Sequence, residues 1–129
     1  MNIDEFRLEM ESYRQSVDKE AAALKDSYLA LDRLHNLYRK FDAGERAMAD
    51  QVLTEWVLSK DEGVRFDALA LIDDFKILKA IPALQKLATR LVSSSAPSAP
   101  YELQKVDRVI GDLTALSSGT TGSLEPVTK

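Results

Sequence analysis

The stretch VRFDALALIDDFKILKAIPAL, residues 64–84, contains two short apolar runs, a polar join between them and a proline just inside the second run. In the first run Val64, Ala68 and Leu71 recur at spacings of three and four, which is typical of one face of a helix. Pro82 falls in the first turn of the second run, where a missing N–H costs nothing. The stretch therefore predicts two consecutive helices with a short join at residues 76–79.

The segment before this stretch, residues 2–41, contains neither glycine nor proline and carries an apolar seven-residue repeat. One interpretation is a single helix about 60 Å long. The other is two helices with a break near Ser16 to Asp18, where serine and aspartate can cap an N-terminus. We favour the break, because a rod of that length is awkward in a small domain. The repeating positions are Ile3, Met10, Val17, Leu24, Leu31 and Tyr38.

Further amphipathic segments flank the quoted stretch. Residues 44–58 predict one helix, 79–92 a second and 101–116 a last, capping helix. The small residues and prolines of 93–100 predict a linker, and 117–129 predict a flexible tail that lacks the apolar residues needed for order. We expect one helical domain over residues 1–116.

Composition excludes several classes of function. The chain has 129 residues, no cysteine and a net charge of −4, with lysines and arginines interleaved among acids. Disulfides and thiolate metal sites are excluded, and nucleic-acid binding is not expected because it needs clustered cations. The N-terminus is charged and has no apolar run, and no window is apolar enough to span a membrane. We expect a cytoplasmic protein.

The quoted stretch also carries a repeat-like pattern. Shifting the chain by 34 residues places Phe41 against Phe75 and Leu37 against Leu71. An acid precedes Val64 and Arg65, an alanine follows three residues later, and AIPAL follows the join. With these features, residues 61–91 resemble a HEAT-like repeat of the phycobilisome-lyase type, and residues 28–58 resemble it more weakly. The residues that carry the resemblance are Asp61 or Glu62, Val64, Arg65, Ala68, Leu69–Leu71 and Ala80–Leu84.

The resemblance implies an all-α fold, a short HEAT-like α-solenoid of about five to six antiparallel helices. Members of this family typically act as scaffolds or adaptors for other proteins. Their concave face is built from second helices, here residues 44–58 and 79–92. The chain departs from the family in its long N-terminal segment and in having at most two recognisable repeats.

No residue pattern indicates catalysis or a cofactor. His35 is the single histidine, and with Asp32 it makes too few ligands for a metal site. Asp73 and Asp74 are adjacent, so they point about 100° apart on a helix and are expected to be solvated. Ser59 or Asp61 is the expected cap of the next helix, and Arg65 is expected near the acids of this turn. We expect no enzyme, no metal and no cofactor.

The predicted function is a non-enzymatic protein–protein interaction module, as a scaffold, an adaptor or a small acidic inhibitor of the immunity-protein type. The acid-leaning surface predicts a basic partner protein. The alternative is a small-ligand-binding or lyase-type protein, by analogy with HEAT-like lyases that handle bilins. The N-terminal seam fits either a homodimer or an intramolecular cap. The candidate contact residues are Glu45, Asp50, Gln51, Glu55, Gln85, Lys86 and Arg90, with Tyr28, which falls off the seam.

Overall fold

Six α-helices and one short 3₁₀ turn form the described part of the chain. The computed structural model describes residues 2–25 and 28–122, with residues 118–122 described by their backbone alone. Within these ranges there is no strand, so the all-α prediction is confirmed. The helices are α1 (Ile3–Leu24), α2 (Leu29–Lys40), α3 (Ala43–Trp56), α4 (Glu62–Phe75), α5 (Ile81–Val92) and α6 (Ala99–Gly122), with the 3₁₀ turn at Leu78–Ala80.

The chain divides into two compact units, Met1–Leu53 and Thr54–Lys129, with the boundary inside α3. The first unit comprises α1, α2 and most of α3. The second comprises the end of α3 and all of α4, α5 and α6. The expected single domain over residues 1–116 stays a prediction.

The break in the N-terminal segment lies at Lys25 and not near Ser16 to Asp18, so its predicted position was wrong. Helix α1 continues through this region because Val17 is buried on its inner face, and Arg14 forms an i,i+4 ion pair with Asp18 at 3.2 Å. The helix ends where Lys25 adopts a left-handed conformation with φ of 54°.

The seven-residue seam is used inside the first unit. Helices α1 and α2 pack against each other, and Phe6, Met10 and Val17 on α1 are buried. The Phe6 ring lies 5.1 Å from the ring of Phe41, which follows α2. The central seam residues are therefore covered within the chain, which fits the intramolecular role of the seam, and the homodimer stays a prediction.

A polar contact joins α2 to α3 within the first unit. The Tyr38 hydroxyl donates a hydrogen bond of 2.6 Å to Asp50, and the Arg46 guanidinium lies 5.3 Å from the centre of the Tyr38 ring. Burial of the phenol, together with the hydrogen bond to Asp50, raises the pKa of Tyr38 well above its ordinary value. The folded state thus holds this hydroxyl in its protonated form.

In the second unit, α6 packs along α5 and also contacts α4. Helix α6 starts at Ala99, two residues before the predicted start at residue 101, and runs to Gly122, beyond the predicted end at residue 116. Helix propagation costs far less than nucleation, so the weak helix formers after residue 116 can extend an existing helix. The first residues of the predicted flexible tail are therefore helical, and residues 123–129 lie outside the described residues. The core positions of this unit include Ala68, Leu71, Ile72, Leu84, Leu87, Val106, Val109 and Leu113.

Replacing Tyr38 with phenylalanine should destabilise the chain by about 1–2 kcal/mol near neutral pH, because half-buried Asp50 loses its donor. The deficit should shrink above pH 10. There the unfolded wild-type tyrosine loses its proton at its ordinary pKa of 10.0 while the folded one keeps it, so wild-type stability falls as pH rises. Urea unfolding of wild type and Tyr38→Phe between pH 7 and about 11 measures both effects. A pH-independent difference would contradict the assignment.

Candidate functional site

The start of α4 is fixed by local hydrogen bonds that the sequence anticipates. The side chain of Asp61 accepts hydrogen bonds from the N–H groups of Gly63 at 2.8 Å and Val64 at 3.3 Å. The Ser59 hydroxyl in turn accepts from the Asp61 N–H at 3.1 Å. The predicted cap at Asp61 is confirmed, and it places Arg65 on the first turn of α4.

Arg65 makes a two-pronged ion pair with Glu102 on α6. Its Nε lies 2.6 Å from Glu102 Oε2 and its Nη2 lies 2.9 Å from Oε1, while Nη1 donates to the Ser59 carbonyl at 2.9 Å. The two side chains are only 16% and 12% exposed. The hydrogen bond to Glu102 is the largest cause that raises the pKa of Arg65, with Glu62 and Asp61 adding to it. The turn acids thus influence Arg65, as expected, but its main partner is distant in sequence.

A second ion pair lies further along the same two helices. Asp73 approaches Arg108 on α6 at 3.5 Å and Lys76 at 3.4 Å. The expected solvation of Asp73 was therefore wrong, because its carboxylate is only 21% exposed. Residue numbers rise on both helices from the first pair to the second, so α4 and α6 run parallel.

Between α4 and α6 lies a groove with exposed aromatic side chains, which we call the α4–α6 groove. Phe66 on α4 is 50% exposed and Tyr101 on α6 is 73% exposed. The Lys105 ammonium lies 5.1 Å from the centre of the Phe66 ring. The groove contains two cavities of about 80 and 210 Å³, and Phe66, Leu69 and Lys105 line both of them. The groove therefore combines apolar and aromatic side chains with charged ones of both signs, since Glu62 and Glu102 line the first cavity and Asp73 and Asp74 line the second.

Only part of this groove could be predicted from the sequence. The sequence offers Tyr101, with Tyr13, Tyr28, Tyr38 and Trp56, as an aromatic candidate for a contact surface. It does not single out Phe66. The available signal was its position: Phe66 lies off the apolar face that Val64, Ala68 and Leu71 define, and a large aromatic residue off the buried face is a candidate for recognition.

Three of the predicted contact residues lie on the part of α3 in the first unit. Glu45 is half-buried and forms a capping box with Asp42, each side chain accepting from the other's N–H at 2.9 and 2.8 Å. Asp50 is half-buried and accepts from Tyr38. Gln51 is exposed. The outward placement of Glu45 and Asp50 was therefore only partly right, because both stabilise the fold locally.

The other predicted contact residues are exposed. Arg90 on α5 donates a hydrogen bond of 3.2 Å from Nη1 to the Leu58 carbonyl. Tyr28 occupies the N-cap position of α2 and leaves its ring in solvent. The remaining exposed residues of this group are Glu55, Gln85 and Lys86.

The single histidine and its acidic neighbour are not arranged as a metal site in the described part of the chain. His35 is buried, and its Nδ1 donates to the Leu31 carbonyl at 2.9 Å, as in a core histidine. No group of three or more histidine and acidic side chains suited to a metal ion occurs among residues 2–25 and 28–122. Tyr38 and Trp56 are core residues.

No protein-family model, curated protein or solved structure matches this chain. Among the described helices, none combines the length and the apolar character needed to cross a membrane.

Replacing Arg65 with methionine should destabilise the chain by about 3 kcal/mol, because Glu102 would stay largely buried without its partner. A double replacement, Arg65→Met with Glu102→Met, should recover most of that loss, since no charge is then left unpaired. Urea unfolding measures both. The control is Arg108→Met, whose exposed and longer ion pairs should contribute less than about 1 kcal/mol. Equal losses for Arg65→Met and Arg108→Met would contradict the account.

Proposed function

We propose that this chain is a non-enzymatic protein–protein interaction module that binds its partner through the α4–α6 groove. The observation that carries the proposal is the pair of exposed rings, Phe66 and Tyr101, beside an ion pair that fixes the two helices. Aromatic side chains in well-ordered surroundings dominate the binding energy of many interfaces. Covering one such ring contributes about 1–2 kcal/mol through the hydrophobic effect.

The rigidity of the groove also supports recognition. The largely buried pair between Arg65 and Glu102 holds one end, and the longer, exposed pair between Asp73 and Arg108 contributes less at the other. A surface that is already ordered before binding loses little conformational entropy when a partner docks. A groove between two helices should therefore lose less conformational entropy on binding than a flexible loop surface would, which supports a role in recognition.

A HEAT-like arrangement is the finer part of the proposal. In a HEAT-like stack, the parallel helices α4 and α6 would be the first helices of two successive repeats. Helix α5, which lies between them in sequence, would be the second helix of the earlier repeat. In such a stack α4 and α6 belong to one face and α5 to the other. The chain would then work as a scaffold or adaptor, or as a small inhibitor that covers a partner's surface.

A second surface competes within the same function. The HEAT-like resemblance implies contact residues on α3 and α5, of which Glu55, Gln85, Lys86 and Arg90 are exposed in the second unit, and the chain's net charge of −4 would attract a basic partner. Asp50 accepts a hydrogen bond from Tyr38, and Glu45 forms a capping box with Asp42. Replacing either residue would therefore change the stability of the fold as well as binding. Gln51 and Glu55 are the informative positions for that face.

Affinity purification of the tagged chain from its native cell, with mass spectrometry, tests the proposal. Wild type should retain a stoichiometric protein partner. The double variant Phe66→Ala with Tyr101→Ala should weaken binding by about 30-fold or more, which corresponds to about 2 kcal/mol for the two rings together. The matched control is Leu8→Ala, an exposed apolar residue on α1, which should retain the partner.

Other outcomes separate the alternatives. A partner that survives loss of both rings but not Gln51→Lys with Glu55→Lys would move the interface to the α3 face. A preparation that carries a small molecule and no protein would favour the ligand-binding alternative, and visible absorbance would point to a pigment.

A further inference from the structure

We propose that a cavity in the first unit binds an arginine side chain of a partner protein. The cavity has a volume of about 130 Å³, and α1 contributes Phe6, Glu9, Met10 and Tyr13 to its lining. Its other lining residues belong to α2, to the residue that follows α2 and to the first turn of α3, all within the first unit. We call it the α1–α2 cavity. The inference goes beyond the proposed function, since no residue of the α4–α6 groove takes part in it.

The walls of the α1–α2 cavity are apolar and aromatic. The rings of Phe6 and Phe41 lie 5.1 Å apart, and the side chains of Met10, Tyr13 and Leu37 line the cavity beside them. Phe6 and Met10 are each only 4% exposed, so packing in the core holds this part of the wall. Aromatic rings attract cations at their faces, and the attraction grows when water is excluded. The walls therefore suit a side chain that is apolar along its stem and cationic at its tip.

Two carboxylates, Glu9 and Glu45, also line the cavity, and within residues 2–25 and 28–122 no lysine or arginine does. The exposed carboxylate of Glu9 forms no ion pair or hydrogen bond within the same ranges. Glu45 is half-buried, and its Oε1 accepts from the Asp42 N–H at 2.9 Å in the cap of α3. Asp42 and Glu45 also offset the positive end of α3, which reduces its repulsion of a cation. The lining of the cavity is therefore negative.

The cations that neighbour the lining residues in sequence do not neutralise the cavity. Lys40 is exposed and does not line it. Residues 1–53 together carry eleven acidic and eight basic side chains, a net charge of −3, so the surrounding field also favours a cation. The neighbouring arginines have contacts of their own, in the pairs Arg7–Asp4, Arg14–Asp18 and Arg46–Tyr38.

An arginine side chain fits this chemistry better than other occupants do. A drug-sized ligand needs roughly 300–1,000 Å³, whereas about 130 Å³ suits a single side chain. An apolar side chain would displace water from Glu9 and Glu45 without supplying a cation. The guanidinium group is more weakly hydrated than the ammonium group of lysine, stacks on aromatic rings and presents several donors to carboxylates. Arginine therefore loses the least hydration and gains the most contacts here.

Methyl NMR spectroscopy of the full chain, labelled with carbon-13 at the methionine methyl groups, tests the inference. The probe is Nα-acetyl-arginine amide, the reporter is the Met10 methyl, and the Met48 methyl on α3 is the internal reference. The Met10 signal should shift in a saturable way, with a Kd on the order of 1 mM for a single side chain. The corresponding lysine derivative should bind about 3-fold more weakly and the apolar norleucine derivative about 10-fold more weakly.

A matched set of variants tests the two carboxylates. Glu9→Gln with Glu45→Gln should weaken binding of the arginine probe by about 10-fold. Glutamine can replace glutamate in a capping box, so the cap of α3 is kept. The control is Glu11→Gln, which changes an acid of α1 outside the cavity lining and should leave the Kd unchanged. The double variant should also retain about 10-fold less of the cellular partner in affinity purification.

Four results would overturn the inference. They are the absence of a saturable Met10 shift up to about 20 mM probe, equal affinity for the lysine or norleucine derivative, equal effects of Glu11→Gln and the double variant, and unchanged retention of the cellular partner by the double variant. The last result would exclude a partner protein as the source of the arginine. Because none of these measurements involves Phe66 or Tyr101, failure here leaves the proposed function of the α4–α6 groove standing.

Discussion

The ion pair between Arg65 and Glu102 is the interaction on which the second unit depends most. It is two-pronged and largely buried, and a third donor on Arg65 reaches the Ser59 carbonyl just before α4. A guanidinium presents a planar fork that fits a carboxylate in one orientation, so the pair fixes the register of α4 against α6 as well as their distance. Arg65 is itself placed by the Asp61 cap one turn earlier. The surrounding apolar core supplies cohesion, and the ion pair supplies register.

Register is what creates a recognition surface here. With α4 and α6 held parallel, Phe66 and Lys105 meet across the groove while Tyr101 stays in solvent at its end. A shift of one residue along either helix would turn these side chains by about 100° and disperse them. The first unit shows the same principle in a different form. There the Tyr38 hydroxyl on α2 donates a hydrogen bond to Asp50 on α3, and the apolar seam of α1 packs against α2.

Sequence patterns predicted the helices better than their ends and contacts. The all-α class, the join before Pro82 and the Asp61 cap follow from local spacing and capping chemistry, which act within a few residues. The helix break was predicted near Ser16 to Asp18 and lies at Lys25, because the burial of Val17 outweighs the capping tendency of Ser16 and Asp18 on either side of it. Glu102 as the partner of Arg65 is a contact across 37 residues, and no local pattern encodes it. The site was missed for the same reason, since exposure of Phe66 depends on how α6 lies beside α4.

The most direct test of this account is a nuclear Overhauser measurement on the isotope-labelled chain without any partner. The account predicts cross-peaks between the ring protons of Phe66 and the ε-methylene protons of Lys105 in wild type. Those cross-peaks should weaken or vanish in Glu102→Ala under conditions where that variant stays folded, because the register of α4 and α6 is then lost. A folded wild-type chain without these cross-peaks, or a Glu102→Ala variant that keeps them at full intensity, would contradict the claim that this ion pair builds the groove.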